Sequence, residues 1–481
     1  MVNETNHPFR KPDSQVRQGQ KLKAITADGA LEVCVAESIA VRYSICMLLR
    51  SSVVHFLFTT LLLGLLAGCA GPRMMPAPVT YETGSINPFE NVAVADRQTD
   101  IGVLYATDRA YSAEEVLDKR YEKQRGLSLR LGMATVRFGP EDLDWQTLED
   151  KSRSNAGLSL NLLELEDLGR LWTTIPLSDE DFWKARDSVS WDDDIRLPAR
   201  RFVEEVNARL AVSKWKEIVI YVPGANTPFI SPVNMMAQFS HFMGRDGVFI
   251  AFSWPARGNP FSYSKQLTSA GTSVRNLRQL ILLLAKETTA ERINLIAYSV
   301  GSPIMSNALL QLRLLLESDR QEDIRRSVQI GSVIYAGADE DHDYFRNMYL
   351  DGFQQLADSI TIYTSDKDRA LGLSKIFTTG SARLGRVTEN LTPNDLRALE
   401  KDSHTSLIDV ENAKSIAGKA DPFAHGYWYG NSWVNQDVIN ILRTKAAPGE
   451  RGLVRDDDSP IWTFPDDYPV RAQDIGKLSD N

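Results

Sequence analysis

A serine, a histidine and an aspartate, far apart in the chain, are the residues best placed to do chemistry. Ala297-Tyr298-Ser299-Val300-Gly301 approximates the G-x-S-x-G nucleophile elbow, with Ala at the first small position. That turn reverses a strand into a helix so tightly that small residues are needed two places either side of the serine. Pro303 suits a first helical turn, where its missing N–H costs nothing, and Ile304 to Leu315 continues as an apolar helix. The five-residue pattern alone is weak, since a chain of this length holds such a match by chance about one time in three. Its position, at the end of an apolar strand and the start of a helix, carries the weight.

A serine hydroxyl near neutral pH is a poor nucleophile and requires a base, a carboxylate to orient that base, and donors for the developing oxyanion. Sheets that carry such an elbow place the acid and then the histidine after the serine. Beyond Cys69 the histidines are His241, His342, His404 and His425. His241 precedes the serine in a helix-like run, His342 sits in the acidic stretch Asp339 to Asp343, and His404 precedes the last apolar strand. His425, in Ala424-His425-Gly426-Tyr427, is therefore the expected base. For the acid, Asp368 is the first choice, with Asp366 in the same loop and Asp339 after the preceding strand as alternatives. The oxyanion donors are expected to be the N–H of Val300 and one from Pro223-Gly224-Ala225-Asn226. Pro223 cannot donate, which leaves Gly224 or Ala225, and Ala225 is better placed.

These residues need a scaffold. From Lys216 onward short apolar runs alternate with helical segments: 218–222, 248–252, 293–297, 333–336, 360–363 and 407–410. Strands buried on both faces and separated by helices predict an α/β fold, a mainly parallel doubly wound sheet flanked by helices. Chemistry in such sheets gathers beyond the carboxyl ends of the strands. An amino-terminal strand and helix layer is expected to precede it, with 101–105 as a strand and mostly helical pattern from Pro140 to Ser213. Domain boundaries are placed at 95–445, with a core at 216–445.

Composition sets the wider limits. The chain has 481 residues and a net charge of -9, which offers no long basic face for nucleic acid. No metal-ligand spacing, dinucleotide fingerprint or P-loop is present, and no cofactor is expected. Its three cysteines, Cys34, Cys46 and Cys69, all lie in the first seventh of the chain, so thiol chemistry is excluded from the rest. Residues 51–67 carry no permanent charge; the stretch is short for a membrane span and fits the apolar region of an export signal. It ends Leu66-Ala67-Gly68-Cys69, which resembles the lipobox of bacterial lipoproteins. The expectation is a signal peptide at 47–68 starting from Met47 behind a non-native extension at 1–46. Acylation of Cys69 would anchor the protein to a membrane, with the periplasmic face of the outer membrane as destination. A Pro-containing flexible tether is expected at 69–94, and an acidic, solvated carboxyl tail at 446–481.

Several further signatures stand in order along the chain: Tyr105-Ala106-Thr107-Asp108-Arg109, Phe252-Ser253-Trp254-Pro255 with Gly258, the Ser299 turn, Tyr363-Thr364-Ser365 with Asp368-Arg369-Ala370-Leu371, Arg383-Leu384-Gly385, and the His425 loop. With them the chain from about Ala95 to Leu442 resembles a bacterial α/β-hydrolase family of unknown function whose members are frequently exported or lipid-anchored. The resemblance implies Ser299 as nucleophile, Asp368 as acid and His425 as base. The chain departs from the family pattern at Pro223 and Ala225, where His and Tyr are usual, at Tyr298, where His is usual, and at Ala424, where Gly is usual. Two readings follow. One is a lipid-anchored serine hydrolase acting on small-molecule or lipid carboxylic esters. The other is a catalytically silent hydrolase fold used as an anchored binding or envelope-assembly module. Tyr427, Trp428, Tyr429 and Trp433 are candidates for an acyl pocket or for core, and Arg257 for a site-facing or surface arginine.

Overall fold

All six apolar runs become strands of one sheet. The computed structural model describes residues 72–171, 192–256, 263–316, 321–377, 380–388, 391–414 and 423–476. The signal segment, Cys69, Arg257 and Gly258 lie outside the described residues. The strands are β1 (Asp100–Tyr111), β2 (Tyr121–Phe138), β3 (Leu160–Leu171), β4 (Glu217–Val222), β5 (Val248–Ser253), β6 (Arg292–Tyr298), β7 (Ile330–Ala336), β8 (Ala357–Thr364), β9 (Thr405–Asp409) and β10 (Ile461–Thr463). Their spatial order is β10-β9-β8-β7-β6-β4-β5-β1-β2-β3. Pairing is parallel from β10 through to β1 and antiparallel within β1-β2-β3. This is an α/β fold with a mostly parallel mixed sheet flanked by helices.

Every residue of β4, β5 and β7 is buried, as continuous apolar runs require when both faces are covered. Alternate side chains feed two cores. Ile218, Ile220 and Val222 of β4 face one, together with residues of helices α3 (Asp192–Val212), α5 (Tyr263–Glu287) and α6 (Gly301–Leu315). Val219 and Tyr221 face the other, with α4 (Ile230–Phe242), α12 (Ser432–Thr444) and α13 (Tyr468–Gly476). The remaining helices are α1 (Val79–Glu82), α2 (Trp145–Arg153), α7 (Gln321–Val328), α8 (His342–Leu350), α9 (Arg369–Phe377), α10 (Pro393–Lys401) and α11 (Tyr427–Gly430). Among the described residues no helix is long and apolar enough to cross a membrane.

Three regions differ from the sequence expectation. The stretch read as mostly helical contains β3. Register shifts between Leu131/Gly132 and Thr135/Val136 interrupt its pairing with β2, so buried Leu165, Leu168 and Leu171 recur every third residue and imitate a helical period. Residues 72–92, expected as tether, are packed. Met74, Met75, Ala77, Val79 and Tyr81 are buried, the Tyr81 hydroxyl donates to the Phe242 carbonyl at 3.0 Å, and the Thr80 hydroxyl donates to Gln436 at 2.5 Å. The carboxyl tail is part of the sheet. Asp456 to Asp458, Asp466 and Asp467 are exposed, but Phe464, Tyr468 and Ala472 between and after them are buried against Trp433, and β10 extends β9. Each large apolar side chain hidden in this way stabilises the tail by about 1.5–3 kcal/mol, which exposed acids alone could not do.

Candidate active site

The carboxyl ends of the parallel strands carry the residues singled out from sequence. Between β6 and α6, Ser299 has φ 52, in the left-handed region that a residue with a Cβ rarely occupies. Three backbone bonds hold it there: its N–H donates to Ala336 O at 3.1 Å, while its carbonyl accepts from Ser302 at 3.0 Å and Asp339 at 3.1 Å. The need for small neighbours is visible at Gly301, where a Cβ would sit 2.4 Å from the Val222 carbonyl oxygen and 2.7 Å from that of Pro223. Ala297 is fully buried in the same turn. Here α6 begins against the end of β4, so its first residue can have no side chain.

The loop after β4 comes equally close. A Cβ at Gly224 would lie 2.8 Å from the Ser299 Cβ and 3.2 Å from Tyr298 Cδ1, so Gly224 is needed as glycine. Neither the Val300 N–H nor the Ala225 N–H is engaged in a hydrogen bond among the described residues. Both remain available to a developing negative charge beside Ser299.

The loop after β8 delivers Asp368, which is fully buried. One carboxylate oxygen accepts the Leu371 N–H at 3.0 Å, and the other meets His425 Nδ1 at 2.6 Å. A carboxylate only accepts, so Nδ1 carries a proton; the uncharged form of the ring then has its lone pair at Nε2. Asp339, an alternative acid, is committed elsewhere: it pairs with Arg383 at 3.2 Å and accepts from Ser374 at 2.6 Å. Asp366 is half-buried in the same turn as Asp368, but the oxygen in contact with His425 belongs to Asp368.

His425 is set by its surroundings. Its ring lies 4.9 Å from that of Tyr298 at 36°, and a Cβ at Gly337 (φ 52) would be 3.1 Å from its Cε1. The loop after β7 must therefore be glycine where the imidazole passes. Ala424, before the histidine, has φ 51, which explains why glycine suits that position better. The Tyr427 hydroxyl accepts the Gly337 N–H at 2.7 Å and donates to the Tyr363 carbonyl at 3.0 Å, tying the histidine loop to the ends of β7 and β8. The structure thus joins His425 to Asp368 and sets the pair beside the Tyr298-Ser299 turn. Gly337 was not foreseen as part of the site, and Tyr427, a candidate for an acyl pocket or for core, instead ties loops together through its hydroxyl; both roles depend on contacts between distant loops.

The other histidines have separate surroundings. His241 is fully buried, stacks on Phe138 with centroids 4.9 Å apart, and meets the Ser152 hydroxyl at 2.8 Å; burial and Arg245 hold its pKa well below the usual range. His342 is half-buried at the start of α8 rather than solvated, and His404 is exposed before β9. Trp428 and Trp433 belong to the core rather than a pocket, Trp428 stacking on Phe239 at 5.6 Å, whereas Tyr429 stands edge-on to Tyr298 at 6.0 Å. Burial raises the Tyr298 phenol well above its ordinary range, assisted by Tyr429, Tyr221 and Asp368, so it is neutral beside the imidazole. Burial likewise pushes Glu340 up to about 8, although the Ser306 hydroxyl donates to it at 2.7 Å and Arg383 pulls the other way. Among the described residues no group of three or more His, Cys, Asp or Glu is arranged to hold a metal ion.

No curated protein matches the chain. Residues 199–441, from within α3 to the last turn of α12 and therefore through all of the strands and loops that carry Ser299, Asp368 and His425, match the model of the family described as alpha/beta hydrolase of unknown function (DUF900), and the chain belongs to that family.

Proposed function

We propose that this protein is a serine hydrolase of carboxylic esters, with Ser299 as nucleophile, His425 as general base and Asp368 as the acid that orients it. The observation that carries this reading is the 2.6 Å contact between His425 Nδ1 and the buried Asp368 carboxylate, beside a serine held at positive φ. Ser299 Oγ attacks the ester carbonyl carbon while His425 Nε2 takes its proton. The tetrahedral oxyanion is received by the N–H groups of Val300 and Ala225, a contribution of about 3–4 kcal/mol for a single donor. Collapse expels the alcohol, protonated by the imidazolium, and leaves an acyl group on Ser299. Water, deprotonated by His425, then releases the acid and restores the serine. Asp368 orients the ring and stabilises the imidazolium.

In this reading the protein is exported, cleaved before Cys69, and held on a membrane by acylation of that residue. The sequence Leu66-Ala67-Gly68-Cys69 after an apolar run supports it, and each buried acyl methylene contributes about 0.8 kcal/mol to retention.

Labelling of the full-length protein in cells with a fluorophosphonate probe tests both parts. Wild type is expected to label in the membrane fraction, Ser299→Ala to lose the label, and Cys69→Ser to label but leave the membrane. Folded wild type that takes no label would overturn the enzyme reading in favour of a silent scaffold. Label that survives Ser299→Ala would overturn the site, and unchanged fractionation of Cys69→Ser would overturn the anchor.

A further inference from the structure

The loop that would supply the second oxyanion donor has an unusual way of keeping its shape. Of the residues Pro223 to Thr227, four have carbonyls that accept hydrogen bonds from side chains. Trp254 Nε1 donates to Pro223 O at 2.7 Å. The Thr227 hydroxyl reaches back to Gly224 O at 2.9 Å and Ala225 O at 3.1 Å. Arg109 Nη2 donates to Thr227 O at 2.6 Å. Asn226, at φ 55, is held by reciprocal bonds with Gln266: its N–H donates to Gln266 Oε1 at 3.0 Å, and Gln266 Nε2 donates to its Oδ1 at 2.9 Å.

These side chains come from three elements. Arg109 is on β1, Gln266 is on α5, and Trp254 follows β5. Arg109 also binds β5 itself, with Nε donating to the Ser253 hydroxyl at 3.0 Å, while the Thr107 hydroxyl donates to Ser253 O at 2.6 Å. Because β1 runs parallel to β5 with Thr107 opposite Ser253, Arg109 arrives at the same sheet edge as Ser299. Arg109 is only 1% exposed, and three of its donors point at neutral oxygens of Ser253, Thr227 and Glu122. Burial lowers it only to about 10, so it remains a cation, and charge-assisted bonds in a dry site are strong.

We propose that Arg109 and Trp254 are positioning residues that brace the Pro223–Thr227 loop so that the Ala225 N–H stays aimed at the oxyanion. The inference rests on the serine-hydrolase reading for its chemical consequence, but the brace itself is a property of the fold. It gives a role to the Tyr105–Arg109 and Phe252–Pro255 signatures, neither of which supplies a residue to the proposed triad. A side chain that only stabilises the fold would change melting temperature without altering the loop's local opening. A brace changes both local opening and the stabilisation made only in the transition state.

The test uses the intact protein and the variants Arg109→Met, Arg109→Lys and Trp254→Phe, the last keeping most of the ring bulk while losing the N–H. Hydrogen exchange over residues 223–229 is read beside a reference peptide in β8, and kcat and KM are read on p-nitrophenyl butyrate. Arg109→Met is expected to speed exchange in the loop about tenfold or more with β8 unchanged. Its kcat should fall about tenfold to a hundredfold with KM within about twofold, and Arg109→Lys should recover part of the loss. Should Arg109→Met fail to fold, Trp254→Phe is judged by the same two readouts. Unchanged loop exchange in a folded variant, or a loss confined to KM, overturns the brace. A wild type that neither labels nor turns over overturns the hydrolase reading instead, and the exchange measurement alone then decides whether the brace exists.

Discussion

The sheet has two regions that solve different problems. From β4 to β9 it is parallel, its strands are hidden on both faces, and its loops carry Ser299, Asp368 and His425. From β1 to β3 it is an antiparallel ribbon of long, bulged strands that supplies none of those three. The family match runs through the first region and leaves out the second. Yet β1 joins the two by pairing in parallel with β5, which puts Arg109 at the same edge as the serine. The difference teaches that a site and its support need not come from the same part of a sheet: one region presents the proposed triad, and the other supplies the residues proposed to hold its neighbouring loop.

Substitutions can break that division. The largest effect is expected at Asp368→Asn in the parallel region. With the amide oxygen kept by the Leu371 N–H, the amide nitrogen faces Nδ1 as a donor and moves the ring proton to Nε2, so kcat should fall on the order of 10⁴-fold while the far-ultraviolet spectrum is kept. A loss of less than about tenfold, measured with p-nitrophenyl esters, would remove Asp368 from the proposed triad. The opposite behaviour is expected at Gly132→Ala in the ribbon. A Cβ there would lie 2.2 Å from the Tyr105 ring and hydroxyl and 2.3 Å from the Glu166 carbonyl, so the pairing of β2 with its neighbours must give. A cost of about 1–3 kcal/mol is expected, seen as a drop of several degrees in melting temperature. Turnover per folded molecule should change little; a large kcat loss at unchanged stability would show that the ribbon takes part in the chemistry. The smallest effect is a gain. Ala424→Gly relieves a residue at φ 51 and should stabilise the fold by roughly 1 kcal/mol, less the extra freedom glycine brings to the unfolded chain, as thermal unfolding would show. A clear destabilisation there would mean that the alanine methyl makes a contact worth more than the strain.

The parallel region was readable because burial on both faces writes itself into the sequence as unbroken apolar runs, and all six became strands. The serine turn was readable for a related reason: at Gly301 the approach of helix to strand tolerates no side chain, which fixes residue type at fixed spacing. The ribbon was harder. Bulges reset the alternation of β3, and a leucine every third residue is also what a helix shows. Residues 72–92 carry too few apolar side chains between prolines to display any period, although Met74, Val79 and Tyr81 are buried. The brace was not legible at all beyond its presence as signatures. Arg109 meets Thr227 and Ser253 across more than a hundred residues of chain, and such contacts leave no local pattern.

The two ends of the sheet matter whenever copies of this protein are crowded together. A strand at the margin of a sheet offers a row of unused amides and carbonyls to any similar strand that drifts past, and growth by that route has no natural stopping point. One margin, β10, is only three residues long, its Thr463 is already bridged by Val454 through two backbone bonds, and it covers β9 beside it. The other, β3, is twelve residues long but studded with Glu164, Glu166, Asp167 and Arg170 and distorted by its register shifts. Brevity guards one side and charge with irregularity guards the other. Among the described residues, then, neither margin offers a long, flat, uncharged strand to a passing copy.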